Sequence, residues 1–594
     1  MACMSVSSLS QSTRISTHCN IIGRFGVPSR GLSQWIKTSS SSSSSLRSSS
    51  WHCMCTTLPS PATSTATIGD TDSLLKSQRQ FTVYLPAHEA DKDRKIEEIM
   101  EKTQGELEKT SDPTSVMKFI DTLERLGIAY HFEEEINSLL QGFLANGYSH
   151  YPQDLFTTAL RFRLLRHNGY HISADVFQKF VDKNGKFKES LREDTQGMLS
   201  LYEASYLGAN GEDILSQAME FTETHFKQSI PLMAAVPQLE QALELPRHLR
   251  MARLEARRFI EEYIRESDHS SALLELAKLD YNKVQLLHQS ELNEISRWWK
   301  QLGLVENLGF GRDRPLECFL WTVGILPEPK YSGCRIELTK TIAVLLVLDD
   351  IFDSFGTLDE LVRFTHAIRR WDLSAMEQLP EYMKVCYMAL YNTTNEIGYK
   401  ILKEHGWNVV PYLKRTWIDM IEGFQAEANW CSSGYVPSLE EYIENGVTTA
   451  GSYMALVHLF FLMGQGVTDE TIGMLEPYPK FFSSSGRILR LWDDLGTASE
   501  EQERGDIASS IELFMREKDL SSQGEARKYV KQVIYSLWKE LNGELMASKA
   551  MPLPLIKAAF NMARTSQVIY QHGDDNSFPS VDQCVQSLFF TPIL

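Results

Sequence analysis

Before Asp70 the chain has no acidic residue at all, while Arg14, Arg24, Arg30, Lys37 and Arg47 lie scattered through a serine-rich tract that includes Ser39 to Ser45. An acid-free, basic, serine-rich start is the composition of an organelle transit peptide, so residues 1–69 are expected to be an address followed by linker. Cysteine is scarce as well: of nine, Cys3, Cys19, Cys53 and Cys55 fall in that tract. The remaining five, Cys318, Cys334, Cys386, Cys431 and Cys584, are odd in number and widely spaced, which excludes a disulfide framework and a zinc pattern. No apolar run reaches the roughly 18 to 20 residues that span a bilayer, the best being 342–348 and 454–464. Alternating strand patterns are few. No glycine-rich loop leads into Lys-Ser/Thr, and no Gly-x-Ser-x-Gly elbow is present, so neither a nucleotide-phosphate loop nor a serine acyl site is expected. Positive charge is short overall: the formal charge is −18, and loss of the five leader cations would make it −23. That argues against nucleic acid or an anionic membrane as partner, because either requires a basic face.

What the chain does have is helical periodicity from about residue 75 onward. Ser115 to Leu126, Asp154 to Arg166, Asp213 to Phe226 and Arg250 to Glu262 place apolar residues three and four apart, with Gly, Pro and Asn between them. The arginines from Arg253 to Arg258 and the acids around them read as solvated faces and interhelix ion pairs. Near residue 289 the texture changes to longer apolar helices with polar groups gathered at particular ends.

In that second half, residues 342 to 353 run seven apolar residues directly into Asp349, Asp350 and Asp353. Carboxylates set against an apolar wall resist dehydration unless cations neutralise them, which predicts either divalent metal ions or a solvated helix end. On a regular helix Asp349 and Asp353 share a face and Asp350 lies about 100° away. Thirty-five residues before Asp349, Arg312-Asp313-Arg314 follows a Gly-rich bend; its two guanidiniums make a clamp for phosphate oxygens or a surface ion-pair cluster.

A second acidic group follows 144 residues after the first: Arg490, then Asp493, Asp494, Thr497 and Glu501. Asp493, Thr497 and Glu501, at i, i+4 and i+8, fall within about 80° of one helical stripe. Carboxylate, hydroxyl and carboxylate suit a hard divalent cation; an acidic amphipathic helix has the same pattern, and the run Glu500 to Glu503 shows that some of this acidity is solvated. Two such stripes with arginines at both imply an anionic ligand such as diphosphate, held through bridging cations at the rim of an apolar cavity.

These residues resemble plant class I terpene synthases over nearly the whole chain after residue 69. Asp349-Asp350-Ile351-Phe352-Asp353 is similar to the family's aspartate-rich motif and Asp493, Thr497 and Glu501 to its second metal motif. Arg312 and Arg314 match its Arg-x-Arg pair, and Arg490 the arginine before the second motif. The resemblance implies an all-α, two-domain fold, with a catalytically silent N-terminal helical domain over 70–288 and a catalytic helical bundle over 289–594. It implies three Mg2+ or Mn2+ ions, Asp349 and Asp353 holding two, Asp493, Thr497 and Glu501 the third, and Asp350 in an outer role. It also implies a prenyl diphosphate bound by Arg312, Arg314, Arg490 and those acids, and, with the leader, a plastid location. Stretches 162–169, 314–324 and 486–494 resemble members that form geraniol from geranyl diphosphate. No Trp occurs between Trp51 and Trp298, so the tandem-arginine and Trp element of many cyclising members is absent, which favours an acyclic product. Linalool synthesis, prenyl chain elongation and a non-enzymatic helical scaffold are the other readings; nothing in the sequence sets an oligomeric state.

Trp321, Trp417, Phe424, Tyr453 and Tyr570 are candidates for the hydrocarbon wall. A helix break is expected from Asn445-Gly446 to Gly451-Ser452, and His572 to Asp575 reads as a lid loop.

Overall fold

The computed structural model describes residues 86–145, 152–229, 237–267, 269–504, 509–548, 550–575 and 577–594; side chains at 86–90, 229, 237 and 499–504 lie outside that description. The expected address at 1–69, and residues 70–85 after it, are likewise outside it. Among the described residues every element is helical apart from one isolated antiparallel bridge, Val181 to Phe187.

Buried apolar residues form two clusters. The first is built by helices that include α1 (Pro113–Leu126), α2 (Leu155–His167) and α3 (Ala252–Tyr263). The second fills the C-terminal half. Helix α4 (Ser271–Leu302) joins them, giving Leu273 to Tyr281 to the first and Leu292 to Trp299 to the second. Near the C-terminus Ile593 returns to the first cluster. The periodic segments become helices to within a few residues of where their spacing puts them, because side chains at Asp112 and Asp154 cap the first turns of α1 and α2. The arginines near residue 253 are less solvated than expected. Arg253 and Glu255 are buried, Arg253 donating to the carbonyl of Tyr281 (3.2 Å) and Glu255 accepting from Arg250 (2.7 Å).

In the second half, α5 (Pro315–Ile325) and α6 (Ser332–Asp350) pack together, and every residue of α6 from Arg335 to Asp349 is buried. After α7 (Val410–Ser433) come α8 (Leu439–Thr449) and α9 (Ser452–Met463), then α10 (Lys480–Arg504). Helix α9 touches both α6 and α10, so one apolar helix packs against the two helices that carry the motifs, 144 residues apart in sequence. The joined stretch Leu439–Met463 is long and apolar enough to cross a membrane by length and composition, but 83% of its most apolar window is buried in the protein. It is also broken at Ala450-Gly451, where Gly451 adopts φ 77°, a left-handed conformation that costs glycine little. The break is thus shorter than expected, and Gly446 lies inside α8.

Helices α11 (Ser510–Glu517), α12 (Gln523–Ala547), α13 (Leu553–Asp574) and α14 (Val581–Val585) complete the bundle. The lid loop expected at 572–575 is corrected here: His572, Gly573 and Asp574 are the last turn of α13, and Asp574 pairs with Arg527 (2.7 Å) and Lys531 (2.6 Å). Gly573 serves packing instead. A Cβ on it would lie 2.5 Å from the carbonyl of Gly496, and one on Gly496 would lie 2.8 Å from that of Tyr570. Helices α10 and α13 therefore cross almost backbone to backbone. Alanine is a better helix former than glycine by about 1 kcal/mol, yet Gly496→Ala is expected to destabilise by roughly 1–3 kcal/mol through overpacking. A lowered melting temperature checks this, and a raised one refutes the contact.

Candidate active site

At the end of α6 the helix does not continue regularly. Ile351–Phe355 widens into a π-helical turn, so Asp349 and Asp353 are not the plain i, i+4 pair of an α-helix. Asp349 is fully buried, Asp350 half-buried and Asp353 exposed. Arg312 straps this end down. Its backbone N–H donates to Asp350 Oδ2 (2.9 Å) and its Nε lies 2.7 Å from Asp350 Oδ1. Its Nη2 donates to Asp349 Oδ2 (2.5 Å) and to the carbonyl of Leu346 (3.1 Å). Burial pushes the Asp349 carboxyl well above the ordinary range; the like charge of Asp353 adds to this and Arg312 opposes it. Burial also raises Asp350, again against Arg312. Arg314 is half-buried at the start of α5, beside Asp313, which accepts from Trp299 Nε1 (2.9 Å).

On α10 the second motif is inside the protein. Asp493, Asp494 and Thr497 are fully buried and Arg490 is 1% exposed. Arg490 Nη2 lies 2.8 Å from Asp493 Oδ2, and Nε donates to Asp494 Oδ1 (2.8 Å). Asp494 Oδ1 also accepts from Tyr442 Oη (2.9 Å), and Asp494 Oδ2 from the backbone N–H of Ser510 (3.2 Å). Thr497 Oγ1 donates to the carbonyl of Asp493 (2.8 Å). Gly446 makes room for this arginine: a Cβ there would lie 2.7 Å from Arg490 Cδ. The side chain of Glu501 lies outside the described residues.

Two adjoining family models match, "Terpene synthase, N-terminal domain" over residues 70–245 and "Terpene synthase family, metal binding domain" over 300–540. The chain belongs to the terpene synthase family. It is 66% identical to a chloroplastic monoterpene synthase of Cananga odorata, over 96% of each chain. In Ocimum basilicum a chloroplastic geraniol synthase is 58% identical over 90% of this chain and 94% of the relative, and a chloroplastic R-linalool synthase 56% identical over 91% and 93%. Isoprene synthase of grey poplar, solved with three Mg2+ ions and dimethylallyl-S-thiolodiphosphate, superposes with a TM-score of 0.80 at 39% identity, covering 85% of this chain and 97% of that one.

The residues of this terpene synthase fit an oxygen-liganded divalent ion. Asp349 Oδ1 is buried and accepts no hydrogen bond from a described residue, a costly state that a cation would relieve. Among the described residues no three acidic, His or Cys side chains already converge, and Arg312 and Arg490 sit on the acids. Of the expected wall residues, Phe424 packs against Phe352 at 5.5 Å between centroids and Trp321 against Tyr570 at 6.2 Å. Phe352 was not singled out in the sequence, although it sits within the aspartate-rich motif. Trp417 is 1% exposed. Tyr453 instead stacks on Tyr478 at 4.4 Å, whose hydroxyl donates to Asp419. Asp494 and Tyr442 were missed as a pair: Asp494 is legible as i+4 from Arg490, whereas Tyr442 is brought in only by the packing of α8 on α10.

Proposed function

We propose that the protein is a monoterpene synthase that ionises geranyl diphosphate and directs water to C1, releasing geraniol and diphosphate. The observation that carries the reading is the paired arrangement of Arg312 with Asp349 at the end of α6 and of Arg490 with Asp493 within α10, two buried or half-buried cation and carboxylate couples. Mg2+ or Mn2+ ions held by Asp349, Asp353, Asp493, Thr497 and Glu501 would supply Lewis-acid stabilisation of the departing diphosphate. Arg312, Arg314 and Arg490 bind its oxygens and hold the anion still while charge accumulates on it. The paired rings Phe352 with Phe424 and Trp321 with Tyr570 would face the hydrocarbon chain, where aromatic faces tolerate a cation and limit water. The C1–O bond breaks with its electron pair on the diphosphate. Water oxygen then bonds to C1, and its surplus proton passes to the diphosphate.

Support for the C1 alcohol comes from 58% identity to a geraniol synthase, and the missing Trp element supports an acyclic product. The R-linalool synthase at 56% supports a second reading, capture at C3. A difference of about 1.4 kcal/mol between those barriers changes the ratio tenfold. Plastid residence, and a silent domain over 70–288 before a catalytic one over 289–594, complete the proposal. Incubation with geranyl diphosphate and magnesium in 18O-water is expected to give geraniol carrying the label. Labelled linalool as main product selects the second reading; label only in the phosphate, a longer prenyl diphosphate, or no turnover sinks both.

A further inference from the structure

Between the two cores lies a polar crevice of about 200 Å3 bounded by α2, by the turn at His248 and by α13. Six basic side chains line it, and four of them are matched. Arg163 and Arg247 share Asp121, each at 2.6 Å. Arg125 and Arg250 share Glu255, at 3.3 and 2.7 Å. The carboxylates of the lining are committed as well: Glu255 to that pair, Glu124 to Arg247 (3.8 Å) and the amide of Asn168 (3.0 Å), and Glu328 to Lys330 (2.8 Å). Lys557 and Arg564 are left over.

These two stand seven residues apart on α13, two turns, so their side chains leave the helix on the same side. Neither forms an ion pair with a described carboxylate. Lys557 Nζ reaches only Asn168 Oδ1 at 3.4 Å. Arg564, 8% exposed, donates to the carbonyl of His248 (2.7 Å) and to Asn561 Oδ1 (2.8 Å), both neutral acceptors, and lies over the ring of Phe560. Burial pulls the Arg564 guanidinium down to about 10; it also lowers Lys557, against the weaker, more distant attraction of Glu124, Glu328 and Glu133, so Arg564 is the more isolated of the two cations. It holds the His248 imidazole at about 3 and His167 well below its ordinary value, with the charge of Arg564 adding to both. The two histidines are therefore neutral near pH 7 and bring no further charge. A buried cation without a counter-ion is costly, and folds that keep one normally supply an anion.

We propose that this crevice binds a small phosphate-type oxyanion, gripped by Lys557 and Arg564 and bridging the two cores. An ammonium and a planar guanidinium on one helix face present converging donors to such an oxyanion. Inorganic phosphate and diphosphate share that chemistry; the site's geometry does not depend on the reaction proposed above, and only the assignment of diphosphate as the source rests on it.

The test titrates the full chain calorimetrically with each anion at fixed ionic strength, without divalent metal, for the wild type, Lys557→Gln and Arg314→Gln. The wild type and Arg314→Gln are expected to bind and to gain melting temperature, while Lys557→Gln loses at least about tenfold in affinity, the weight of one charge-assisted contact. Tighter binding of diphosphate than of phosphate would assign the reaction product as the source, and equal or weaker binding would assign free phosphate. A second variant, Arg564→Lys, keeps the charge but loses the fork, and is expected to weaken binding without abolishing it. No binding by the wild type at millimolar anion overturns the proposal. So does binding that survives in Lys557→Gln and disappears in Arg314→Gln, since that places the anion at the candidate active site.

Discussion

Asp349→Ala is expected to lower kcat with geranyl diphosphate by about a hundredfold or more at saturating magnesium, the scale of losing one group that stabilises developing charge. The effect follows from where the carboxylate sits. It is fully buried, one oxygen is taken by Arg312 and the other has no hydrogen-bond donor among the described residues. A protein tolerates that arrangement only where the carboxylate has a further use. Its removal need not unfold the chain, because Arg312 retains Asp350 at 2.7 Å and through its backbone N–H. The variant should therefore melt within a few degrees of the wild type while turnover collapses. Asp349→Asn, which keeps the volume, should lose nearly as much turnover, because a neutral amide oxygen is a poor ligand for a hard cation. Activity within threefold of the wild type, with the fold intact, would remove Asp349 from the site.

Much of the frame is legible in the sequence because its signals are local. The period of α1 and α2 and their capping aspartates need no distant partner, and the stripe of Asp493, Thr497 and Glu501 needs only 3.6 residues per turn. What is not legible depends on the far side of a contact. Gly573 between His572 and Asp574 has the composition of a turn, yet it lies in α13 and is small because α10 leaves no room for a Cβ. Gly446 has the look of a breaker for the same local reason, and its absent side chain is the space that Arg490 fills. Arg253 and Glu255 lie in a run of charges that suits a wet helix face. They are buried because Arg250 and the carbonyl of Tyr281, outside the pattern of that run, satisfy them. The π-helical turn at Ile351–Phe355 has no signature in composition, and it alters how Asp349 and Asp353 face each other.

The second large effect is expected at Asp494, which is outside the expected metal set of Asp493, Thr497 and Glu501 yet is tied into the local structure at three points. It takes Arg490 Nε, Tyr442 Oη and the N–H of Ser510, and it is fully buried. Asp494→Ala would take from a buried guanidinium the carboxylate that accepts from its Nε and would uncap the entry to α11, so a loss of about 3–5 kcal/mol is expected, the usual scale for breaking a buried pair from one side. Tyr442→Phe removes one hydrogen bond to a charged acceptor and should cost about 1.5–3 kcal/mol. The kinetic effect separates from the stability effect in Asp494→Asn. That variant keeps an acceptor for Tyr442 but lowers the negative charge holding Arg490, which then shifts fully onto Asp493 and away from the diphosphate. kcat/KM should fall by about ten- to a hundredfold, corresponding to roughly 1.4–2.7 kcal/mol of transition-state stabilisation. Chemical denaturation and steady-state kinetics on the three variants distinguish the roles: an Asp494→Ala protein as stable as the wild type would show that Arg490 is held by other groups, and unchanged kcat/KM in Asp494→Asn would show that its aim does not depend on this carboxylate. The expected order, Asp494→Ala worst for stability and Asp494→Asn affected chiefly in kcat/KM, follows from one carboxylate serving the fold through Ser510 and Tyr442 and the site through Arg490.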